Sequence, residues 1–335
     1  MPYRTPSPEM ISGASPASGA TSSLVAIPGY REVNLATHGI HLRSMDETLP
    51  RHVKRLVSDM FKRRQSLEPD MKDTEGRRTL TDLTERNSAE SQVAKELKRL
   101  IFQNSETEER VKGLCQTVEG YLMRKEHLPT SSQPDFDNRL SQPKPDILYS
   151  YVFEAFTLNQ QKQLNKMAQS EFTANNQRSI YPFFVVEFKG NAGLTTGSLW
   201  VGTNQCLGAT AACIKMVEKL NKYVEGLDTS TLQPVDTTVF SIAMSGSEAR
   251  LFVSWKEGDG QYITQQIEGL AVCRPDHYVR LHRFVRNVID WGTGSRLAQI
   301  GAVLDYIQEE PQKRLHDAIA DASDNAIKPD RKRRK

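Results

Sequence analysis

The chain has 335 residues, 38% hydrophobic and 25% charged, enough to bury one substantial core and carry an appended segment. Its formal charge of +3 sits in the last eight residues, where Lys328, Arg331, Lys332, Arg333, Arg334 and Lys335 face Asp330 alone; without that tail's +5 the body stands at −2. A global positive field is thereby excluded, and any nucleic acid must be met by a local basic groove.

Apolar runs such as Phe183 to Val186 fall far short of the ~20 residues of a membrane-spanning helix, and no apolar block follows Met1. Neither secretion nor a membrane anchor is expected. Cys115, Cys206, Cys213 and Cys273 show no CxxC spacing, so they read as free thiols in a reduced compartment rather than as zinc ligands.

Residues 1–28 are dominated by Ser, Pro, Gly, Ala and Thr and carry too little apolar surface to offset the entropy of ordering, so a disordered tail is expected. Residues 29–86 are read as a helical N-terminal extension and linker. Within them Leu49, Val53, Leu56, Val57, Met60 and Phe61 recur at helical spacing, and the polar stretch Glu68 to Arg78 reads as the linker. The main domain is then expected over 87–325, ahead of a basic tail over 326–335.

In that domain Asn87 or Ser88 is placed to cap a helix through Val93, Leu97, Leu100 and Ile101, with Glu90 in the first turn, where an acid suits the helix dipole. Glu106 to Met123 reads as a second helix, and no strand is read ahead of Asp146. After a Pro- and Ser-rich loop from Pro129 to Pro145, residues Ile147 to Phe153 read as a strand and Leu158 to Phe172 as helical. Tyr181 to Lys189 is the most strand-like segment, apolar until Glu187 interrupts it. Asn204 to Val224 reads as a helix of small and apolar residues suited to packing on a sheet.

Thr238 to Met244, Ala249 to Trp255 and Tyr262 to Ile267 read as strands joined by Ser245-Gly246-Ser247 and Gly258-Asp259-Gly260 turns, a meander. Helices near Asp276 to Ile289 and Arg296 to Ala322 follow. The order predicts a mixed α/β fold.

Two short patterns carry the chemistry: Pro145-Asp146 at the head of one strand and Glu187-Phe188-Lys189 at the end of the next. Neither is rare in the chain, but only Glu187 and Lys189 close a buried-looking apolar strand, where unpaired charges cost several kcal/mol. Strand alternation puts Glu187 and Lys189 on one face and Phe188 on the other. If the two strands pair, Asp146 brings a second carboxylate alongside Glu187, and two close carboxylates repel unless a cation or proton intervenes. A hard divalent ion, Mg2+ or Mn2+, meets that need with oxygen ligands from Asp146, Glu187 and the Phe188 carbonyl. Lys189 then stands beside the ion, where an ammonium stabilises charge on a phosphate or orients the attacking water.

At these residues the sequence resembles the PD-(D/E)XK nuclease superfamily, and more closely uncharacterised fungal proteins with a PD-(D/E)XK nuclease-like domain. The resemblance covers roughly Asn87 to Ile267. It implies a restriction-endonuclease-like mixed sheet flanked by helices, here with additional C-terminal helices, and a Mg2+-dependent nuclease that hydrolyses phosphodiester bonds, with DNA as the expected substrate. It also implies two further catalytic positions, an acid on the first helix, Glu90 with Glu96 as an alternative, and a glutamine on the helix after Glu-x-Lys, Gln205. One departure is the 40 residues between Asp146 and Glu187, where many relatives use a short hairpin. The rival reading is a catalytically inactive module of the same fold that binds nucleic acid or protein.

His277 and His282 are five residues apart, not on one helical face, and read as ordinary. Arg274, Arg280, His282, Arg283 and Arg286 cluster near one expected helix and offer a candidate basic face for phosphates. The tail from Lys328 to Lys335 resembles a nuclear localisation signal, so a nuclear and otherwise cytoplasmic protein is expected.

Overall fold

The computed structural model describes residues 24–64, 74–86, 88–102, 114–117, 120–132, 139–190, 198–225 and 232–309. Its frame is a seven-stranded mixed sheet. The strands are β1 (Ile40–Arg43), β2 (Leu114–Thr117), β3 (Ile147–Tyr151), β4 (Ile180–Phe188), β5 (Val239–Met244), β6 (Glu248–Lys256) and β7 (Tyr262–Ala271), in the spatial order β1-β7-β6-β5-β4-β3-β2. The meander β5-β6-β7 is antiparallel, as are β2-β3 and β3-β4, whereas β4 pairs with β5 and β1 with β7 in parallel. A parallel pair needs a crossover, and the long helix between β4 and β5 supplies it.

The helices are α1 (Arg51–Met60), α2 (Thr74–Glu85), α3 (Glu90–Leu97), α4 (Leu158–Lys166), α5 (Gln169–Phe172), α6 (Leu199–Asn221) and α7 (Pro275–Trp291), and helical residues resume over 297–309. Their starts follow local chemistry. Thr157 and Gln160 form a reciprocal capping box at α4, Ser198 caps α6, and Pro275 opens α7 where its missing N–H costs nothing. Every residue of β4 is buried, because α6 covers one face of the sheet and α7 the other. Phe184 and Phe240 meet Phe284 of α7 edge-on at ring-centroid distances of 6.5 and 5.7 Å. A strand buried on both faces reads as a continuous apolar run, which is what Ile180 to Val186 shows.

The mixed α/β fold with flanking and C-terminal helices is as expected, but several local readings are corrected. Residues 114–117, read as helix, form edge strand β2; this is the strand missing ahead of Asp146, and the rest of the Glu106 to Met123 reading lies outside the described residues. Residues 74–78, read as linker, begin α2. The N-terminal extension is more than helical, because Ile40–Arg43 adds a parallel strand to the sheet edge. The expected disorder of residues 1–28 fails at its C-terminal end. Val25 is buried, and its carbonyl accepts a hydrogen bond from Asn204 Nδ2 at 3.0 Å. Residues 1–23 and the basic tail lie outside the described residues.

That N-terminal segment explains why the first half of α6 is buried on the side away from the sheet: the Val25 carbonyl accepts from Asn204 there and Arg31 donates to the same amide, whereas Lys215, Glu218 and Lys219 farther along the helix are partly exposed. The Tyr30 hydroxyl accepts the Ser141 N–H at 3.0 Å and Asn34 donates to the Arg139 carbonyl at 2.9 Å, so the same segment anchors the loop leading to Asp146.

Candidate functional site

The β3-β4 register assembles the site. Ile147 pairs with Val186 and Leu148 with Val185, so the next rung sets Asp146 opposite Glu187, on the same side of the sheet. Asp146 also holds the strand end directly. Its Oδ2 accepts the Phe188 N–H at 2.7 Å, a bond that continues the ladder after β3 has ended.

Glu187 pairs with Ala243 on β5, and a side chain placed at Gly202 of α6 would meet both Ala243 Cβ and Lys189 Cγ, at 3.5 and 3.2 Å. Glu187 and Lys189 therefore point to the α6 face. Phe188 points to the other, where its ring meets Phe102 edge-on at 6.0 Å and lies under the Lys98 ammonium at 5.7 Å. The alternation expected from the sequence is observed.

Glu90 arrives from α3. Its Oε1 accepts from Lys189 Nζ at 3.3 Å, with the lysine side chain 5% and the glutamate side chain 46% exposed. The contact depends on Gly190, because a Cβ there would lie 2.7 Å from the Glu90 backbone N and 3.1 Å from the Ser88 carbonyl oxygen. The helix starts at an Ala89 N-cap that has no side-chain hydrogen bond, not at a capping Ser88; Asn87 lies outside the described residues. Glu96, the alternative acid, instead pairs with Arg99 on its own helix.

Gly190→Ala is expected to destabilise the fold by about 1 to 3 kcal/mol, the usual cost of forcing an extra methyl into packed backbone. Chemical denaturation measures the loss, and solvent exchange at the α3 amides should rise with it.

Electrostatics are dominated by Glu187, which is 1% exposed and whose Oε1 has no hydrogen-bond partner. Burial pushes its carboxyl well above the usual carboxylate range; the adjoining Asp146 carboxylate adds to the rise, and Lys189 opposes it. A carboxylate this deep, beside a second one, is stabilised by a proton or a cation. The same field acts on Cys206 of α6, whose thiol is pushed up by burial and then by Glu187. Cys206, Cys213 and Cys273 are free thiols, as expected.

Gln205 lies one residue before Cys206, on the flank of α6 that carries Gly208, whose side faces Pro143 three residues ahead of Asp146. Its buried Oε1 has no hydrogen-bond partner. Helical spacing places it between the Lys189 and Asp146 sides of the site.

Among the described residues no three His, Cys, Asp or Glu side chains converge as a ready metal cage. What converges is one carboxylate pair beside a lysine, with Glu90 turned to that lysine. This donor set fits Mg2+, which keeps several waters and is held by one or two carboxylates.

The basic face considered on α7 is divided. Arg280 is paired with Glu268 and stacked on Phe61, Arg274 is paired with Asp276, and His282 is buried beside Tyr278. His277 Nδ1 accepts the Ala271 N–H at 2.9 Å. Because α7 packs on the opposite face of the sheet from Glu187, these cations do not border the carboxylates. Missed in the sequence were Gly190 and Gly202, which show only as small residues beside the motif, and Asn204, buried against the N-terminal segment.

The fold and site define an α/β protein with an acid pair and a lysine at the ends of two adjacent strands of a mixed sheet. The chain belongs to the family described as a domain of unknown function (DUF7924), whose model matches residues 77–304. No curated protein matches it. No helix among the described residues is long and apolar enough to cross a membrane.

Proposed function

We propose that this protein is a metal-dependent nuclease, hydrolysing phosphodiester bonds, with DNA as the expected substrate. The observation that carries the reading is the buried Glu187 carboxyl, its Oε1 without a hydrogen-bond partner, set opposite Asp146 with Lys189 on the same face. Asp146, Glu187 and the Phe188 carbonyl would hold Mg2+ or Mn2+; when bound, the ion polarises a phosphoryl oxygen and lowers the pKa of water.

The chain's own residues divide the remaining work. Lys189 brings a positive charge to the phosphate that is attacked, in a dry environment where such a charge acts strongly. Glu90 holds that ammonium in place, and Gln205 offers a further polar group toward substrate or water. The resemblance to the PD-(D/E)XK superfamily supports these roles. The rival, an inactive module of the same fold, leaves the buried Glu187 and the half-buried Asp146 beside it without a use.

The deciding experiment incubates the purified full chain with single- and double-stranded DNA and RNA, with Mg2+, with Mn2+ and with a chelator. Metal-dependent cleavage of at least one substrate is expected. No cleavage and no metal binding by calorimetry would overturn the proposal in favour of the binding module. The reading also keeps the basic tail as a nuclear localisation signal, so a fluorescent fusion lacking residues 328–335 is expected to lose its nuclear concentration; an unchanged distribution refutes that part.

A further inference from the structure

The chain reaches the acid pair through the strip Ser141-Gln142-Pro143-Lys144-Pro145-Asp146, and almost every member of it is tied down. The Ser141 N–H donates to the Tyr30 hydroxyl at 3.0 Å, Gln142 Nε2 donates to the Met123 carbonyl at 2.6 Å, and the Pro143 carbonyl accepts the Met123 N–H at 2.8 Å. Pro143 and Pro145 are buried, Pro143 against the Gly208 flank of α6, and Asp146 Oδ2 holds the Phe188 N–H. Lys144 alone in the strip is exposed.

This lysine is nevertheless not free to swing. Each proline fixes its own φ and holds the residue ahead of it extended, so Lys144, between two of them, has little backbone freedom. Its stem is placed as well. It runs past Gly120, where an added Cβ would lie 3.3 Å from Lys144 Cε, 3.6 Å from Lys144 Cγ and 3.4 Å from the Pro145 carbonyl oxygen. Gly120 has a φ of +60°, which residues with a side chain rarely adopt, and the bare backbone there forms a notch along which the stem lies. The ammonium at its end stays open, because among the described residues Lys144 makes no ion pair and no side-chain hydrogen bond. Lys189, by contrast, is buried and paired with Glu90.

The position of Lys144 relative to the acids follows from the chain itself. Two extended residues put its backbone about 6 to 7 Å from that of Asp146. Burial alternates along the strip, with Pro143 and Pro145 turned in and the more open Lys144 and Asp146 sharing the other side. Glu187 stands opposite Asp146 on β4. With a rise of ~3.4 Å per nucleotide along one strand, a cation at this separation falls within one to two nucleotides of a phosphate held at the acids.

We propose that Lys144 is a substrate-binding residue, contacting the DNA backbone phosphate next to the one at Asp146 and Glu187 and so fixing how the strand enters the site. The assignment takes its substrate class from the nuclease reading and does not require cleavage. A positioned ammonium gives up less freedom on binding than a mobile one, and a phosphate contact carries no base identity, so the contribution is the same for every sequence.

The test measures binding of fluorescein-labelled single- and double-stranded DNA to the full chain in chelator, as a function of NaCl. Lys144→Gln is expected to lower the magnitude of the slope of log Kd against log[NaCl] by about 0.7 for single strands and 0.9 for duplex, and to weaken binding roughly five- to eightfold at 0.1 M salt, equally for all sequences. Lys144→Arg keeps the cation and should keep the slope. Lys162→Gln, at an exposed position on α4, serves as the remote control. Calorimetric Mg2+ affinity should be the same in Lys144→Gln and wild type, and in cleavage the variant should raise KM and leave kcat in place, the mark of lost uniform binding. An unchanged slope in Lys144→Gln, an equal fall in Lys162→Gln, or no DNA binding by the wild type overturns the assignment. A loss of Mg2+ affinity in Lys144→Gln overturns it too, since the residue would then act by placing Asp146. If the slope falls but the wild type cleaves nothing with Mg2+ or Mn2+, the contact stands and the nuclease reading falls; if the wild type cleaves and the slope is unchanged, the reverse holds.

Discussion

Replacing either acid is expected to abolish metal binding, whereas replacing the lysine should spare it and abolish turnover. Asp146→Ala and Glu187→Ala each delete an oxygen ligand. Even partners behind a ligand cost about 10- to 100-fold in affinity, so the loss should exceed roughly 100-fold in calorimetry on the substrate-free protein. Lys189→Ala removes no ligand; its effect should appear as a drop of about 1,000-fold in cleavage by metal-loaded protein, the scale of losing one charge-stabilising donor.

Stability has to be separated from function in this set. Asp146→Ala also orphans the Phe188 N–H, a cost of about 1 to 3 kcal/mol for an unsatisfied donor. Asp146→Asn keeps an acceptor there while removing the charge, so it should fold normally and still fail to bind metal. Equal metal affinity in Asp146→Asn and wild type would remove Asp146 from the ligand set.

The second large effect is a pH dependence of stability that a divalent metal reverses. The Glu187 carboxyl in the folded protein is raised well above its ordinary value of 4.5, so the folded state holds that proton more tightly than the unfolded chain does. The associated stability is complete below 4.5 and is lost as pH rises toward the folded value. In chelator, unfolding free energy should therefore fall with rising pH, by up to about 1.4 kcal/mol per unit for this one proton. Mg2+ should restore stability at the alkaline end, releasing the proton as it binds.

Glu187→Gln supplies the reference, because a neutral amide of the same shape removes the titration. It should match wild type near pH 4 and exceed it above pH 7 when metal is absent. His127 works in the opposite sense. Burial holds it down to about 4 from an ordinary 6.5, against the opposing pull of the Thr173 carbonyl 2.9 Å from its Nε2. Its contribution grows as pH rises from 4 to 6.5 and is constant above, so it cancels in the comparison of the two proteins. Parallel stability curves for wild type and Glu187→Gln in chelator would show that Glu187 does not carry the excess proton.

These expectations rest on a site whose chemistry was legible in sequence but whose construction was not. Strand alternation follows from backbone geometry alone, so Glu187 and Lys189 on one face and Phe188 on the other were readable from their place at the end of the apolar run Tyr181 to Val186. The pairing of Asp146 with Glu187 was readable only as a condition. Forty residues separate them, and no local rule fixes the register of strands so far apart.

The sequence by itself determined the periodic elements: the central strand, the meander, the small-residue helix α6 and the amphipathic α7, because period and turn chemistry are local properties. Tertiary structure decided what local signals leave degenerate. Residues 114–117 lack a strand signature strong enough to override a helical reading and become strand at an open sheet edge, where β3 offers unpaired N–H and C=O groups. Ile40–Arg43 likewise become β1 only because β7 presents an edge to pair with. Residues 24–35, which read as tail and extension, are held in the fold because the buried Asn204 on the outer side of α6 needs partners, and the Val25 carbonyl and the Arg31 guanidinium supply them.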